Sequence, residues 1–236
     1  MRRIEDLQLD GLKIIQEDRY FCFGIDAVLL SDFVKANSTQ SILDIGCGNG
    51  ILPLLLTGKK KGKNIVGIEI QAELANLALE NVRLNKLEDR ISIVNIAIQD
   101  YINTQFDVIV TNPPYMKYGS GIDSDNKENL IARFEKYLKI EDLFVSVKRL
   151  LKERGSLFMV HRADRIVDIM CEARKNFIEP KEIRFIKSKI NDTPKLVLIK
   201  FIKGAGAFLK ILPDLVIYEQ DGIYTEEILK IYGKES

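Results

Sequence analysis

Between residues 41 and 160, short apolar runs alternate with longer stretches whose apolar residues recur at helical spacing. The runs cover 41–45, 64–70, 91–94, 106–110 and 156–160; they are rich in Val and Ile, and each is expected to be a buried strand. Strand–helix alternation of this kind predicts a parallel sheet with helices on both faces. Ahead of this block, 12–16 reads as a strand, 18–23 as a turn with an aromatic cluster, and 26–34 as a helix with Asp26 near its start. Beyond Pro180 two strand-like runs, 183–186 and 196–202, flank Asn191-Asp192-Thr193-Pro194 and are expected to form an antiparallel pair closing the sheet. One more strand-like run, 215–218, and a short helix from Thr225 complete the pattern. The polar stretch 117–129 is expected to be a mobile loop.

With 236 residues, 46% of them hydrophobic, the chain can bury a full core as one domain. We divide it into a leader (1–40), a core (41–203) and an extension (204–236). Lys+Arg 35 against Asp+Glu 34 leaves a net charge of +1, so any nucleic-acid surface must be a local patch. Cys22, Cys47 and Cys171 are far apart with no C-x-x-C pair. That argues against a zinc site or a disulfide framework and fits a reducing cytoplasm, with no metal expected. Met1-Arg2-Arg3 leads into acidic residues rather than an apolar stretch, so no signal peptide is expected. No run approaches the ~18 apolar residues of a spanning helix. The expectation is a soluble, cytoplasmic monomer without a membrane partner.

Two stretches carry chemistry. The first is Asp44-Ile45-Gly46-Cys47-Gly48-Asn49-Gly50, placed between a strand and a helix, where glycines let the backbone turn sharply and approach a ligand. A ligand-free turn and a dinucleotide fingerprint are the alternatives; the fingerprint wants its third glycine where Ile51 sits. About 20 residues on, Glu69 ends the next strand, where a carboxylate can accept both hydrogens of a ribose diol. The second stretch is Thr111-Asn112-Pro113-Pro114-Tyr115, following the run 106–110. Prolines lack an N–H and hold their predecessors extended, so the chain leaves the sheet stiffly. Asn112 Oδ1 and the Pro113 carbonyl can accept the two hydrogens of an –NH2, and Tyr115 can stack on the flat ring that carries it.

The glycine loop resembles the S-adenosylmethionine loop of class I methyltransferases, and Asn112–Tyr115 resembles the Asn-Pro-Pro-Tyr motif of enzymes that methylate a planar nitrogen. That nitrogen is an adenine amine, a guanine amine or a glutamine amide. The leader from Leu12 to Leu30, with Val160-His161-Arg162, Glu179-Pro180-Lys181 and Tyr224-Thr225, is similar to the bacterial tRNA adenine-N6 methyltransferases that modify the purine 3′ of the anticodon of a valine tRNA. The resemblance implies a doubly wound, mostly parallel seven-stranded Rossmann-like α/β sheet with an antiparallel C-terminal strand pair. It also implies S-adenosylmethionine as cofactor and tRNA as partner. Catalytic residues would be Asn112, Pro113, Pro114 and Tyr115. The donor would be bound by Asp44, Gly46, Cys47, Gly48, Gly50, Glu69, Ile70, Ala97, Ile98 and Asn112. The leader would lie over the donor pocket, bringing Gln16, Phe23 and Asp26 to it, although Phe23 also suits a core and Asp26 a helix cap. Such enzymes usually place an acid beside the donor's adenine, at the position where this chain has Ala97. Lys117, His161, Arg162, Arg184, Lys187 and Lys189 are candidate RNA contacts, whereas Lys59, Lys60, Lys61 and Lys63 read as a solvated face. An amino methyltransferase for rRNA, DNA or protein, and a non-catalytic RNA-binding protein, are the competing readings.

Overall fold

The structure, a computed structural model, describes residues 2–18, 20, 24–102, 104–113, 139–220 and 222–234. The chain opens with β1 (Arg2–Asp6), β2 (Lys13–Glu17) and α1 (Ile25–Phe33). The core follows as β3 (Ser41–Ile45), α2 (Ile51–Gly58), β4 (Asn64–Glu69), α3 (Ala72–Leu84), β5 (Ile91–Asn95) and β6 (Phe106–Thr111). After it come α4 (Ile140–Leu150), β7 (Leu151–Arg162), α5 (Ile166–Lys175), β8 (Ile178–Lys187) and β9 (Leu196–Lys203). The extension holds β10 (Lys210–Ile211), β11 (Leu215–Val216), β12 (Tyr218–Gln220), β13 (Ile223–Tyr224) and α6 (Glu226–Ile231).

The main sheet has the order β5-β4-β3-β6-β7-β9-β8, with β10 and β11 added along the outer edge of β8. Strands β3 to β7 pair in parallel, and β9 runs antiparallel to both neighbours, as expected of the closing pair. Strand order reverses at β3, which lies between β4 and β6. A crevice opens at such a switch point, because the connections from neighbouring strands leave to opposite faces.

Alternation along the strands sorts the core. Ile42, Val108, Val110, Phe158 and Val160 pack with α1, α2 and Val82 of α3, whereas Leu43, Ile45, Ile109, Leu157 and Met159 pack with α4 and α5. Both faces are covered, which is why these strands read as unbroken apolar runs. By the same parity Asp44 and Glu69 project toward the α1–α2 face.

The structure departs from the sequence pattern in several places, among them β7, which begins at Leu151, five residues before the expected run. Strand β1 pairs antiparallel with β2, although Arg-Arg-Ile-Glu-Asp has no apolar alternation to announce it. Strand β8 begins five residues before the expected run and contains Pro180, which sits at an irregularity in the pairing with β9. A missing N–H is tolerated at such a bulge. The basic cluster after α2 is more than a solvated face: Lys61 Nζ donates to the carbonyls of Ser31, Asp32 and Val34 at 2.6–2.8 Å, and Lys59 Nζ reaches Asp32 Oδ1 and the Ile231 carbonyl. Both lysines satisfy groups at the ends of α1 and α6 that the helices leave open. The stretch 117–129 lies outside the described residues. Among the described residues no helix is long and apolar enough to cross a membrane, and no group of three or more His, Cys, Asp or Glu is placed to hold a metal.

Candidate functional site

The glycine loop leaves the C-terminal end of β3, and its first two N–H groups are fixed at once. Gly46 and Cys47 both donate to the Ile68 carbonyl, at 2.9 and 3.0 Å. Gly46 (φ +74°) and Gly48 (φ +54°) adopt the left-handed region, and a Cβ on either would meet nothing within 4 Å. The loop therefore presents a bare backbone to open space. Gly50 (φ +85°) closes the loop against α3, where a Cβ would lie 3.3 Å from that of Ala78.

Two carboxylates lie beneath this loop. Glu69, 5% exposed, accepts from the Gly48 N–H at 3.0 Å and the Gln71 N–H at 2.9 Å. Burial raises its pKa, and these backbone donors pull it back. Asp44 is fully buried, and neither of its oxygens has a hydrogen-bond partner among the described residues. Burial first, then the neighbouring Glu69 charge, pushes its pKa well above the usual carboxylate range. Cys47 is 3% exposed; burial and the same two carboxylates hold its thiol protonated, so it lines the loop as an inert side chain.

Strand register joins this loop to the Asn-Pro-Pro-Tyr stretch. Ile45 pairs with Thr111, the last residue of β6, so the glycine loop and Asn112 leave the sheet from the ends of neighbouring strands. Thr111 Oγ1 donates to the Ile45 carbonyl at 3.0 Å and ties the two exits together. Asn112 and Pro113 are half-buried at this edge. Pro114, Tyr115, Lys117 and Phe23 lie outside the described residues.

On the other flank, β5 ends in a turn in which the Asp100 N–H donates to the Ala97 carbonyl. Ile98 is buried, Ala97 half-buried and Ile70 exposed. The turn is held from below by Arg149, whose guanidinium donates to the carbonyls of Ile98, Gln99 and Tyr101. No carboxylate side chain occupies the Ala97 position, so Ala97 offers only its backbone, and this flank is apolar.

Among the leader residues, Gln16 is 3% exposed and its Nε2 donates to Glu5 Oε2 at 2.5 Å. Asp26 is 5% exposed at the start of α1, and its Oδ1 accepts from the Ala27 N–H.

The candidate RNA contacts are spread along the β7–β9–β8 edge. His161 Nδ1 accepts from the Arg162 N–H, and burial, with the Arg165 charge second, lowers its pKa to about 4. Arg162 pairs with Asp164, Arg184 with Glu227 and the Pro213 carbonyl, and Lys187 with Asp214. Arg184 and Lys187 thus hold the extension onto β8. The backbone N–H of Lys189 donates to Asp192 in the turn before β9.

The sequence reading missed Asn81, Asn85 and Arg149, which shape the site without facing it. The signal for Asn81 was the cost of an asparagine inside a helix, which needs a compensating partner; Asn85 at the helix C-cap and Arg149 carried no such signal.

The loop fits a donor carrying a cation and a ribose: it has an open glycine cradle, an unpartnered buried carboxylate below, and a second carboxylate at the next strand end. Residues 24–177 match the family described as Methyltransferase small domain. A relative in Haemophilus influenzae is 30% identical over 217 residues, covering 88% of each chain, and one in Dyadobacter fermentans is 32% identical over 218 residues with the same coverage. Both are named tRNA1(Val) (adenine(37)-N6)-methyltransferase. Among solved structures, one described as a predicted O-methyltransferase from Agrobacterium tumefaciens superposes with a TM-score of 0.71 at 18% identity, covering 89% of this chain and 96% of that one. M. jannaschii TYW2 in complex with AdoMet gives 0.59 at 17% identity, covering 85% of each. At these identities the two structures speak to the fold.

Proposed function

The chain belongs to the Methyltransferase small domain family, and from that premise we propose that it transfers a methyl group from S-adenosylmethionine to the N6 amine of an adenine in tRNA, the purine 3′ of the anticodon of a valine tRNA. The observation that supports this reading is the β3–β6 register, in which Ile45 pairs with Thr111, so that the glycine loop and the Asn112 stretch begin at neighbouring strand ends. A nitrogen held by Asn112 lies next to whatever that loop holds. The names of the two relatives support the choice of adenine in tRNA.

When bound, S-adenosylmethionine supplies an electrophilic methyl on a positively charged sulfur. The chain has two tasks. Glu69 would accept hydrogen bonds from the donor's ribose diol, Asp44 would lie buried beneath the loop, and the backbone of Gly46, Cys47, Gly48 and Gly50 would lie against the donor. Ile70, Ala97 and Ile98 would flank its base, and the leader would contribute Gln16, Phe23 and Asp26. At the acceptor, Asn112 Oδ1 and the Pro113 carbonyl accept both hydrogens of the amine. Held so, the nitrogen lone pair turns out of conjugation with the ring and toward the methyl. Pro114 stiffens this exit and Tyr115 stacks on the ring. Positioning and electrostatics supply the acceleration. Transfer would break the sulfur–methyl bond and release S-adenosylhomocysteine, and the nitrogen's proton, acidic once the methyl has arrived, would pass to water, so His161 is not needed as a base.

This reading takes 41–203 as the catalytic core, with the leader 1–40 and the extension 204–236 as parts of one domain. The protein acts as a monomer in the cytoplasm and without a metal. His161, Arg162, Arg184, Lys187 and Lys189 lie along the edge where the RNA would approach, and Lys117, outside the described residues, is a further candidate RNA contact. The anticodon-loop base is splayed out to enter, as bases are for other enzymes that modify them.

Nucleoside mass spectrometry on tRNA from cells with and without the gene tests the reading. The expected result is N6-methyladenosine in valine tRNA only when the gene is present, and restoration of the mark in vitro by the purified protein. Asn112→Ala should lower that rate by about 100-fold or more. Label entering rRNA, DNA or a protein glutamine in place of tRNA would overturn the substrate.

A further inference from the structure

Strand β2 has two edges and, among the described residues, one strand partner. Strand β1 pairs along one edge, and the other faces α3. A helix spends its own backbone groups internally, so the N–H and C=O groups on that edge need side-chain partners. Two asparagines on α3 supply them. Asn85 Oδ1 accepts from the Lys13 N–H at 2.8 Å and its Nδ2 donates to the Lys13 carbonyl at 2.7 Å. Asn81 Oδ1 accepts from the Ile15 N–H at 2.6 Å and its Nδ2 donates to the Ile15 carbonyl at 3.2 Å. The spacings agree: four helical residues advance about 6.0 Å and two strand residues about 6.6 Å. Two side-chain amides thus take the place of a neighbouring strand.

Each amide retains a second N–H, and here the two residues part. That of Asn85 returns to its own helix, to the Asn81 carbonyl at 2.7 Å. That of Asn81 donates at 2.9 Å to the carbonyl of Asn49, inside the glycine loop. Asn81 is fully buried, and one turn earlier Ala78 supports Gly50 of the same loop. One side chain therefore bonds the leader and the donor loop at once, and Gln16, the next residue along β2, is carried with it.

We propose that Asn81 is a positioning residue that couples the leader hairpin to the donor loop, so that seating the donor and ordering β2 are one event. The proposal rests on the reading of this loop as the donor site. Holding the loop against a donor fixes the Asn49 carbonyl, which fixes the Asn81 amide, which fixes β2. Asn85 shares the strand-bracing role and lacks the link to the loop, so it is the natural control.

The test uses the full chain with S-adenosylhomocysteine as probe. Calorimetry gives its Kd, thermal melting gives stability, and hydrogen exchange across 13–17 reports leader order. Wild-type protein should slow its exchange at 13–17 when the probe binds. Asn81→Ala should bind the probe about tenfold more weakly and lose that slowing. Its KM for S-adenosylmethionine should rise while kcat at saturating donor stays within a few-fold of wild type. Asn85→Ala should lose thermal stability yet keep both the Kd and the slowing. Asn81→Ser, with a shorter side chain and a single hydroxyl hydrogen to donate, is the second variant should the alanine fail to fold, and the same weakening is expected of it. Equal Kd values for wild type and the Asn81 variants, or equal weakening in Asn85→Ala, would reduce Asn81 to a structural brace and sink the proposal. Failure of the wild-type protein to bind the probe would instead sink the donor-site reading itself.

Discussion

Both oxygens of Asp44 are buried without a hydrogen-bond partner among the described residues, with Glu69 close enough to repel its charge. Such a carboxylate costs stability whenever it is ionised. The folded state holds its proton more tightly than the unfolded chain, so the stability from this group is present at low pH and is lost as pH rises through the raised folded value. Asp44→Asn should therefore melt above wild type at pH 8 by a few degrees, about 2–4 °C per kcal/mol for a chain of this size, with the gap closing toward pH 4. Its affinity for S-adenosylmethionine should fall at the same time, since a nearby sulfonium favours the ionised form of Asp44 and an amide cannot supply that charge. A melting curve with no pH-dependent gap would refute this account of Asp44. His161 has the opposite sign. Its folded pKa of about 4 lies below the ordinary 6.5, so the neutral ring's contribution is complete above pH 6.5 and is lost as pH falls toward 4. His161→Gln should lose less stability than wild type across that interval, followed by melting in steps of pH. Methyl transfer at pH 8 should persist in this variant, because no step asks for a base there.

Helix α1 ends at Phe33 without a glycine or an internal cap, and the cation that serves its last carbonyls comes from the loop after α2. A positive charge at a helix C-terminus meets both the open carbonyls and the negative end of the dipole. Burial lowers the Lys61 pKa to about 8, so the ammonium is still the main form at pH 7. Lys61→Met keeps the stem and removes the three donors. It should cost about 1–3 kcal/mol, read by calorimetry as a fall in Tm of roughly 2–10 °C. An unchanged Tm would mean that water serves those carbonyls equally well. This lysine was read from the sequence as part of a solvated run, because charge clustering records composition and not which carbonyls lie within reach.

For the whole molecule, a net charge of +1 leaves no general attraction for RNA. Several candidate basic residues are engaged within the protein: Arg184 and Lys187 fasten the extension, and Arg162 meets Asp164. Binding of tRNA should therefore rest on few phosphate contacts. A plot of log affinity against log salt should have a slope of about −2 to −3, corresponding to three or four phosphates at about 0.7 each. Filter binding between 50 and 200 mM salt measures it, and a slope steeper than about −6 would require a basic surface that this account does not include.

The amino-acid sequence by itself determined the strand–helix alternation, the parallel core with its antiparallel closing pair, and the two motifs at the strand ends. Each of these is written locally: apolar runs of strand length, glycines before a helix, prolines after a strand. What only the tertiary structure decided is which groups meet. Strand β1 exists because β2 offers an edge and not because its own residues alternate. Asn81 joins Ile15 to Asn49 across 66 and 32 positions of the chain, and Arg149 reaches back to the turn after β5. Hydrogen bonds between residues so far apart leave no period in the sequence, since their partners are chosen by how the layers pack. The β3–β6 register that pairs Ile45 with Thr111, just before the glycine loop and Asn112, is of the same kind, for parallel strands joined by a long crossover find their alignment only when the core closes around them.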